Sequence, residues 1–295
     1  MFSLLIALAS SAAAQATAST PEETPFLHGF DVSINGNAPV HFGLDTGAAI
    51  DFLITPEKAQ QLGLPITGHR NIRTSDRQPL GSGDTVSIVK ATTLKVAGRT
   101  FTPAEGDILK MSDSHRDGTL GITLFRDVLL TLDYPHDRLN ISDGELPPPN
   151  GRDVIEYSTK PDATFGPLRV SPTVTIQLAG HTLPALFDSA AAKIPADVIV
   201  PTTLAATLPL GRTESETVIS DAAGHRYPSR TARLNGDLIL GEVVLHNPTV
   251  LVSDWLGFVN LARIWNRLII TIDQRNHRLR ITMPSKVPPE ALATK

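Results

Sequence analysis

The chain contains no cysteine. This absence excludes disulfide frameworks, thiolate nucleophiles, cysteine-ligated zinc sites and a lipoprotein anchor attached at cysteine. Its nine histidines are spread singly, without an H-E-x-x-H or H-x-H pair. The sequence therefore gives little support for a metal site, and we expect neither a metal nor another cofactor.

Aromatic residues and positive net charge are also lacking. Phe, Trp and Tyr make up 5% of the chain, and the formal net charge is −4 at pH 7. Without a basic surface field or aromatic platforms on which bases could stack, we expect no binding to nucleic acid. The same electrostatic reason argues against binding to an anionic membrane surface.

The chain has no apolar run long enough to span a bilayer. Its most apolar segment, FSLLIALA at residues 2–9, is followed by the small residues SSAAAQATA. This pattern matches the apolar core and cleavage site of a secretory signal, with cleavage after Ala14 or Ala16, although the start lacks Lys and Arg. We therefore predict a signal peptide over residues 1–16 and an exported protein, periplasmic or secreted.

What the sequence does contain is a repeat. The segment PVHFGLDTGAAIDFL around Asp45 matches TLPALFDSAAAKIP around Asp188, 143 residues further on. At the same separation, Val-Ala-Gly at residues 96–98 matches Ile-Leu-Gly at residues 239–241. A third pair of blocks, GTLGITLFRDVLLTLD and GFVNLARIWNRLIITID, follows at a separation of 140 residues. Three blocks in the same order at nearly constant spacing indicate a tandem duplication.

The repeat divides the chain into an N-terminal lobe and a C-terminal lobe. We predict the first lobe over residues 20–146 and the second over residues 152–284, joined by a proline-rich linker at residues 147–151, with a polar tail at residues 285–295. Within each lobe, short apolar or alternating runs rich in β-branched residues are bounded by Gly, Pro and Asn, which predicts strands.

One short helix is predicted in each lobe. In the first lobe Thr55 suits the N-cap, Pro56 the first helical position and Gly63 the C-terminal stop. Residues 201–208 occupy the same place in the second lobe.

The segment Leu44-Asp45-Thr46-Gly47-Ala48, followed by the helix and later by Thr119-Leu120-Gly121, resembles the retropepsin and pepsin-like aspartic peptidases. Exported bacterial members with two tandem lobes are most similar to it, and the resemblance covers residues 25–283. It implies an all-β fold of two retropepsin-like β-barrel lobes in a pepsin-like bilobal arrangement. The cleft between the lobes would bind an extended peptide or an unfolded protein as substrate.

Such a site needs two carboxyl groups held close together, because one must take a proton from water while the other protonates the carbonyl oxygen. The resemblance implies that Asp45 and Asp188 form this dyad and that the hydroxyls of Thr46 and Ser189 brace the two loops. Gly47 would be the residue of close backbone approach, with Ala48 and Ala190 as its supporting neighbours. A flap would close over the substrate, and its candidate residues are Ser75, Asp76, Gly81 and Gly83.

The second lobe departs from the family pattern twice. Ala190 stands where the first lobe has Gly47, and the alignment places Asn260-Leu261 opposite Leu120-Gly121. Three interpretations therefore stay open. The protein is a monomeric peptidase that uses both aspartates, a homodimeric peptidase that uses two copies of Asp45, or a peptide-binding protein that keeps the cleft without hydrolysis.

Three other aspartates are expected to have structural roles or to face solvent, and not to take part in catalysis. Asp133 and Asp273 end strands before turn residues and are expected to cap those turns. Asp51 is expected to face solvent near the start of the first helix.

Overall fold

The computed structural model describes residues 15–17, 23–71, 85–110, 115–159, 172–220, 226–255 and 257–284. The strands of the first half are β1 Gln15–Thr17, β2 Phe30–Ile34, β3 Val40–Asp45, β4 Phe52–Ile54, β5 Ile66–Asn71, β6 Thr85–Ala91, β7 Leu94–Val96, β8 Arg99–Thr102, β9 Ala104–Ile108, β10 Gly118–Gly121, β11 Leu129–Asp133 and β12 Arg138–Ser142. The strands of the second half are β13 Val154–Glu156, β14 Thr173–Leu178, β15 His181–Phe187, β16 Val198–Val200, β17 Leu210–Ser220, β18 Arg226–Leu234, β19 Asp237–Leu240, β20 Val243–His246, β21 Thr249–Val252, β22 Asn260–Leu261, β23 Ile269–Asp273 and β24 Arg278–Thr282.

Helices are few and short. The two α-helices are α1 Pro56–Gln61 and α2 Thr202–Ala205, and the three 3-10 helices are Ile122–Phe125, Ser189–Lys193 and Arg263–Arg267. The predicted all-β class, with one short α-helix in each half, is therefore confirmed. Across the described ranges, no helix is long and apolar enough to cross a membrane.

Helix α1 forms where its end signals predicted it. The Thr55 hydroxyl accepts a hydrogen bond from the Lys58 N–H at 3.4 Å, and Pro56 occupies the first helical position. Gly63, just beyond the helix, adopts a φ of 62°, a left-handed conformation that glycine reaches without steric cost.

The strands build one large sheet in each half. The first is a 10-stranded sheet in the order β1-β8-β7-β2-β3-β10-β4-β9-β6-β5, and the second is a 9-stranded sheet in the order β17-β18-β21-β16-β22-β15-β14-β19-β20. In each sheet the strand leading to the motif aspartate pairs in parallel with a strand from the third repeated block, β3 with β10 and β15 with β22. The two halves thus share the topology around their aspartates.

A third sheet contains strands from both halves, in the order β12-β11-β23-β24-β13. Its central pair, β11 and β23, is antiparallel, and Thr131 lies opposite Thr271. These two threonines are equivalent positions of the repeat, and their hydroxyls are 3.0 Å apart. The sheet therefore has a local twofold relation between the halves at this point.

The hydrophobic core follows the shared sheet. One cluster of buried side chains includes Leu130 and Leu132 of β11, Ile270 and Ile272 of β23, and Trp265, all fully or almost fully buried. The linker at residues 147–151 is largely exposed, but the residue before it, Leu146, is buried, and its N–H donates to a carboxylate oxygen of Asp273 at 2.9 Å. The predicted boundaries of the two lobes remain a prediction, and the halves they delimit share one sheet and one core.

Candidate active site

The two motif aspartates lie at the ends of equivalent strands. Asp45 is the last residue of β3, and Asp188 directly follows β15. Alongside β3, the register of β10 places Leu120 opposite Leu44 and Gly121 opposite Asp45. A Cβ at Gly121 would lie 2.1 Å from the carbonyl oxygen of Ile50. The glycine is therefore required for this close packing beside the Asp45 loop.

The backbone holds the two carboxyl groups in the same way. The Gly47 N–H donates to Asp45 Oδ1 at 2.8 Å, and the Ala190 N–H donates to Asp188 Oδ1 at 2.9 Å. The change from glycine to alanine in the second half therefore leaves this hydrogen bond intact, because it uses a backbone group that both residues have. Ala48 follows in the turn, with its N–H donating to the Asp45 carbonyl at 3.2 Å.

Gly47 lies against both carboxyl groups. A Cβ built on it would be 3.0 Å from Asp45 Oδ1 and 3.2 Å from Asp188 Oδ1. These distances are shorter than ordinary van der Waals contact, so a larger residue would push the carboxyl groups aside. They also show that the loop after β3 and the Asp188 carboxyl are close neighbours.

Reciprocal hydrogen bonds join the two aspartate loops. The Thr46 N–H donates to Ser189 Oγ and the Ser189 N–H donates to Thr46 Oγ1, each at 2.9 Å. Each hydroxyl then donates across to the opposite strand at 3.3 Å, Thr46 to the Phe187 carbonyl and Ser189 to the Leu44 carbonyl. Thr46 is completely buried and Ser189 is buried. The four bonds fix the relative position of the two loops that carry the aspartates.

The strand register corrects one sequence alignment by one residue. In β22, Leu261 lies opposite Phe187 as Leu120 lies opposite Leu44. The counterpart of Leu120-Gly121 is therefore Leu261-Ala262, and Asn260 takes the place of Thr119. The sequence comparison failed here because it kept the spacing of the downstream strands, whereas the second half has one residue fewer between Leu261 and the start of β23 than the first half has between Leu120 and the start of β11.

Asn260 is a site residue that the sequence did not identify as such. It is completely buried, and its Nδ2 donates to Asp188 Oδ2 at 3.2 Å. Its Oδ1 is buried and has no hydrogen-bond partner among the described residues. A polar residue inside an otherwise apolar strand was the only signal in the sequence.

The prediction that Asp51 faces solvent is wrong. Asp51 is 6% exposed and accepts hydrogen bonds from the Glu105 N–H at 3.0 Å and from the Thr123 hydroxyl at 2.8 Å. It also forms an ion pair with Arg126. Because the partners come from β9 and from the 3-10 helix after β10, Asp51 ties the segment following the Asp45 loop to two neighbouring elements.

The second half contains a comparable buried aspartate. Asp197 is 2% exposed, accepts from the Thr249 N–H at 2.9 Å and lies 3.5 Å from Arg267 Nη2. Local sequence could not predict either site, because every partner is more than 50 residues away along the chain.

A buried tyrosine lies close to the two motif aspartates. Tyr134 is 4% exposed, and its hydroxyl makes no hydrogen bond of standard geometry to the described residues. Burial, followed by the negative charges of Asp188 and Asp45, raises the pKa of Tyr134 far above its ordinary value, and the neighbouring Ser189 hydroxyl lowers it by less. Tyr134 is therefore a neutral group beside the two carboxyls.

The other sequence-predicted residues lie as follows. Asp133 accepts from the His136 N–H and Asp273 from the Asn276 N–H, so both cap the turns that follow their strands, as predicted. The flap candidates Ser75, Asp76, Gly81 and Gly83 lie outside the described residues, between β5 and β6. Within the parts of the chain that the structure describes, no group of three or more His, Asp or Glu side chains is placed to hold a metal ion.

Comparisons with known proteins found similarity to aspartic proteases. Residues 30–124 match the family model described as aspartyl protease. Among solved structures, the chain is similar to a retropepsin-like aspartic protease from Rickettsia conorii, with 18% sequence identity over 44% of this chain and 92% of that chain and a TM-score of 0.33. No curated protein matches the chain. Over residues 30–124 the chain therefore matches an aspartyl protease domain, which supports the resemblance found in the sequence.

Proposed function

We propose that the protein is an aspartic-type endopeptidase whose dyad consists of Asp45 and Asp188 of the same chain. The observation that carries this proposal is the set of reciprocal hydrogen bonds between Thr46 and Ser189. They join the loops of the two aspartates, and Gly47 lies within contact distance of both carboxyl groups. Two carboxyls held in this way can share one proton, which is the state that the chemistry requires.

The dyad hydrolyses a peptide bond by general acid–base catalysis. The ionised carboxylate takes a proton from a water molecule as its oxygen attacks the carbonyl carbon, and the protonated carboxyl donates its proton to the carbonyl oxygen. In the second step, the aspartate that took the proton from water gives it to the amine nitrogen as the C–N bond breaks. The other aspartate, now ionised, takes a proton from one hydroxyl of the tetrahedral diol as the carbonyl re-forms. The products are a carboxylic acid and an amine, and the dyad returns to its singly protonated state.

The substrate is an extended peptide or a segment of unfolded protein. An extended chain can form strand-like backbone hydrogen bonds along a cleft while alternate side chains enter pockets on either side. Strands β5 and β6 pair in the first half as β17 and β18 pair in the second. The flap candidates named from the sequence lie between β5 and β6 along the chain.

A single chain supplies both aspartates in this proposal, in preference to a homodimer of first lobes. Thr46 already exchanges hydrogen bonds with Ser189 of its own chain. A second copy of the Asp45 loop would have to displace that partner and break four buried hydrogen bonds.

Hydrolysis is also favoured over peptide binding without turnover. The feature that suggested an inactive site was Ala190 in place of glycine. Its N–H donates to Asp188 Oδ1 as the Gly47 N–H donates to Asp45 Oδ1, so both carboxyls keep the backbone hydrogen bond that orients them.

We also propose that the protein is exported and that its signal peptide is cleaved after Ala14. Strand β1 pairs Gln15 with Thr102 and Thr17 with Thr100. Cleavage after Ala14 keeps this strand whole, whereas cleavage after Ala16 removes two of its three residues. Mass spectrometry of the exported protein is expected to give an N-terminus at Gln15, and an N-terminus at Met1 would contradict export through a cleaved signal.

The test of the peptidase proposal is cleavage of an unfolded protein by the wild type, Asp45→Asn and Asp188→Asn between about pH 4 and pH 7. We expect each variant to lose activity by about 100-fold or more, because each removes one partner of the proton exchange. The exposed Asp31 supplies the control, Asp31→Asn, which should keep full activity.

Three outcomes would contradict parts of the proposal. Full activity of Asp188→Asn, with a specific activity that rises with protein concentration, would favour the homodimer. Binding of an extended peptide by the wild type without any cleavage would establish the peptide-binding function instead. Cleavage that survives in both aspartate variants would place the reaction elsewhere in the molecule.

A further inference from the structure

We infer that Asn260 is a positioning residue that holds Asp188 as the ionised member of the dyad, which leaves the shared proton on Asp45. This inference rests on the proposed function and assigns the two aspartates different roles within it. Asp188 would be the base that takes the proton from water, and Asp45 the acid that protonates the substrate carbonyl.

Both carboxylate oxygens of Asp188 accept a hydrogen bond. Oδ1 accepts from the Ala190 N–H at 2.9 Å, and Oδ2 accepts from Asn260 Nδ2 at 3.2 Å. The two donors come from different elements, the loop after β15 and strand β22. An ionised carboxylate accepts at both oxygens, whereas a protonated one must place its hydrogen on one of them. Donors at both oxygens therefore favour the ionised form.

The amide of Asn260 differs in kind from a hydroxyl. The strand register makes Thr119 its counterpart in the first half. A threonine hydroxyl can rotate to donate to a carboxylate or to accept from a carboxylic acid. The Nδ2 group can only donate, so a proton on Asp188 Oδ2 would point at another hydrogen. The repeat thus places different hydrogen-bonding groups beside its two equivalent aspartates.

The surroundings of Asn260 indicate that its role is not to stabilise the fold. Its side chain is completely buried in a strand, and its Oδ1 has no partner among the described residues. A buried polar atom without a partner destabilises a protein relative to an apolar side chain of similar size. Among the described residues, the hydrogen bond to Asp188 is the one that this side chain makes in return.

Other titratable groups also act on Asp188. They include Asp45, across the Gly47 contact, and Tyr134, buried beside both aspartates. The charge of Asp45 opposes a second charge on Asp188, and Tyr134 stays neutral. Neither group decides which aspartate keeps the shared proton. The repulsion between Asp45 and Asp188 acts equally on both aspartates, and Tyr134 carries no charge. The amide of Asn260 acts on Asp188 alone.

The test compares the wild type with Asn260→Leu, Asn260→Thr and Asn266→Leu. Leucine removes the donor, and threonine introduces the residue of the first half. Asn266 is the matched control, because it lies in the same segment and its Nδ2 donates to the Ala192 carbonyl at 3.3 Å. The measurements are the pH profile of kcat/KM, a ¹³C NMR titration of the aspartate carboxyl carbons, assigned with Asp45→Asn and Asp188→Asn, and the thermal midpoint Tm.

At pH values between the two titration steps of the dyad, we expect the carboxyl carbon of wild-type Asp188 to have the chemical shift of the ionised form. The carboxyl carbon of Asp45 should have the shift of the protonated form. In Asn260→Leu the Asp188 titration and the acidic limb of kcat/KM should move to higher pH by about one unit. The Tm should stay equal or rise, because the unpartnered oxygen is gone. In Asn260→Thr the Asp188 titration should fall between those of the wild type and Asn260→Leu. Asn266→Leu should leave the acidic limb of kcat/KM unchanged.

The inference would be overturned if the Asp188 carbon titrated at the higher step in the wild type, because Asp45 would then be the ionised member. It would also be overturned if Asn260→Leu lowered Tm but left the titration and the acidic limb in place, since the role would then be structural. The NMR titration needs no substrate. A protein that does not cleave peptides would therefore contradict the proposed function and still decide the role of Asn260.

Discussion

Gly47 lies against the carboxyl groups of both halves of the site, and it is more restricted than its counterpart Ala190. A methyl group at position 47 would stand 3.0 Å from Asp45 Oδ1 and 3.2 Å from the carboxyl of Asp188. Ala190 already has a methyl group and is exposed. The same backbone turn therefore needs glycine in one half and accepts alanine in the other.

We predict that Gly47→Ala lowers kcat/KM by about 10- to 100-fold, because the added carbon displaces the carboxyls of the proposed dyad. The matched variant is Ala190→Gly, which removes a methyl group and should change kcat/KM by less than about 3-fold. Cleavage kinetics of both variants provide the test. Equal losses in the two variants would mean that the turns are equally crowded, contrary to the observed contacts.

Two tyrosines give the protein a dependence on alkaline pH. Burial raises the pKa of Tyr134 and of Tyr157 well above the ordinary value, with the Asp188 charge as the next cause at Tyr134 and the Asp273 charge at Tyr157. In the unfolded chain both would ionise near pH 10. Above that pH the folded state therefore binds more protons than the unfolded state, and the free energy of unfolding falls as the pH rises.

We predict that these two of the three tyrosines stay protonated in the folded chain above about pH 10 and ionise only on unfolding. Tyrosinate absorbance and circular dichroism followed on the same sample provide the measurement. In the double variant Tyr134→Phe and Tyr157→Phe, the loss of stability above about pH 10 should be reduced. Ionisation of all three tyrosines before any loss of structure would contradict the prediction.

At the scale of elements, the two aspartate loops depend on each other through Thr46 and Ser189. Each hydroxyl accepts from the N–H of the other residue, and each donates to a strand carbonyl of the opposite half. Removing one hydroxyl leaves a buried N–H and a buried carbonyl without that partner. The cost of such unpaired groups is about 1–3 kcal/mol.

We predict that Thr46→Val and Ser189→Ala each lower the free energy of unfolding by about 1–3 kcal/mol. The double variant should lose less than the sum, with a coupling of about 0.5–3 kcal/mol, because both changes disrupt the same network. The control pair is Thr131→Val and Thr271→Val, whose hydroxyls meet in the shared sheet and should cost less than about 1.5 kcal/mol. Denaturant unfolding provides the values, and strict additivity at the loops would exclude the coupling.

At the scale of the whole molecule, the shared sheet joins the halves. Strand β11 of the first half pairs along its full length with β23 of the second half, and one core cluster contains side chains of both. Separating the halves would expose the edge of β11 and its buried leucines to water, which is unfavourable and promotes association. The halves are therefore expected to unfold together.

The two tryptophans allow this to be tested, because Trp255 and Trp265 both lie in the second half. Leu94 is completely buried in the first large sheet, and Leu94→Ala should cost about 2–5 kcal/mol. We predict that it shifts the tryptophan fluorescence transition as much as the circular dichroism transition, since both halves unfold in one step. An unchanged fluorescence transition would show that the halves unfold independently.

Several features of the molecule follow from the sequence alone. The tandem repeat, the all-β class, the two short helices and the turn caps at Asp133 and Asp273 were predicted, and the structure has them. Each depends on residues close together in the chain, such as the cap of Thr55 on Lys58 or the turn that follows a strand. Local hydrogen bonds and hydrophobic periodicity are sufficient to determine features of this kind.

Other features were decided only by the tertiary structure. The burial of Asp51, the one-residue change in the alignment of β22 and the position of Asn260 against Asp188 all depend on partners more than 50 residues away. The sequence contains these residues but not their pairing, because strand register is set by packing between distant segments and a shift of one residue reverses the face that each side chain occupies. The sequence thus determined which residues the site contains, and the packing of the two halves determined which of them meet.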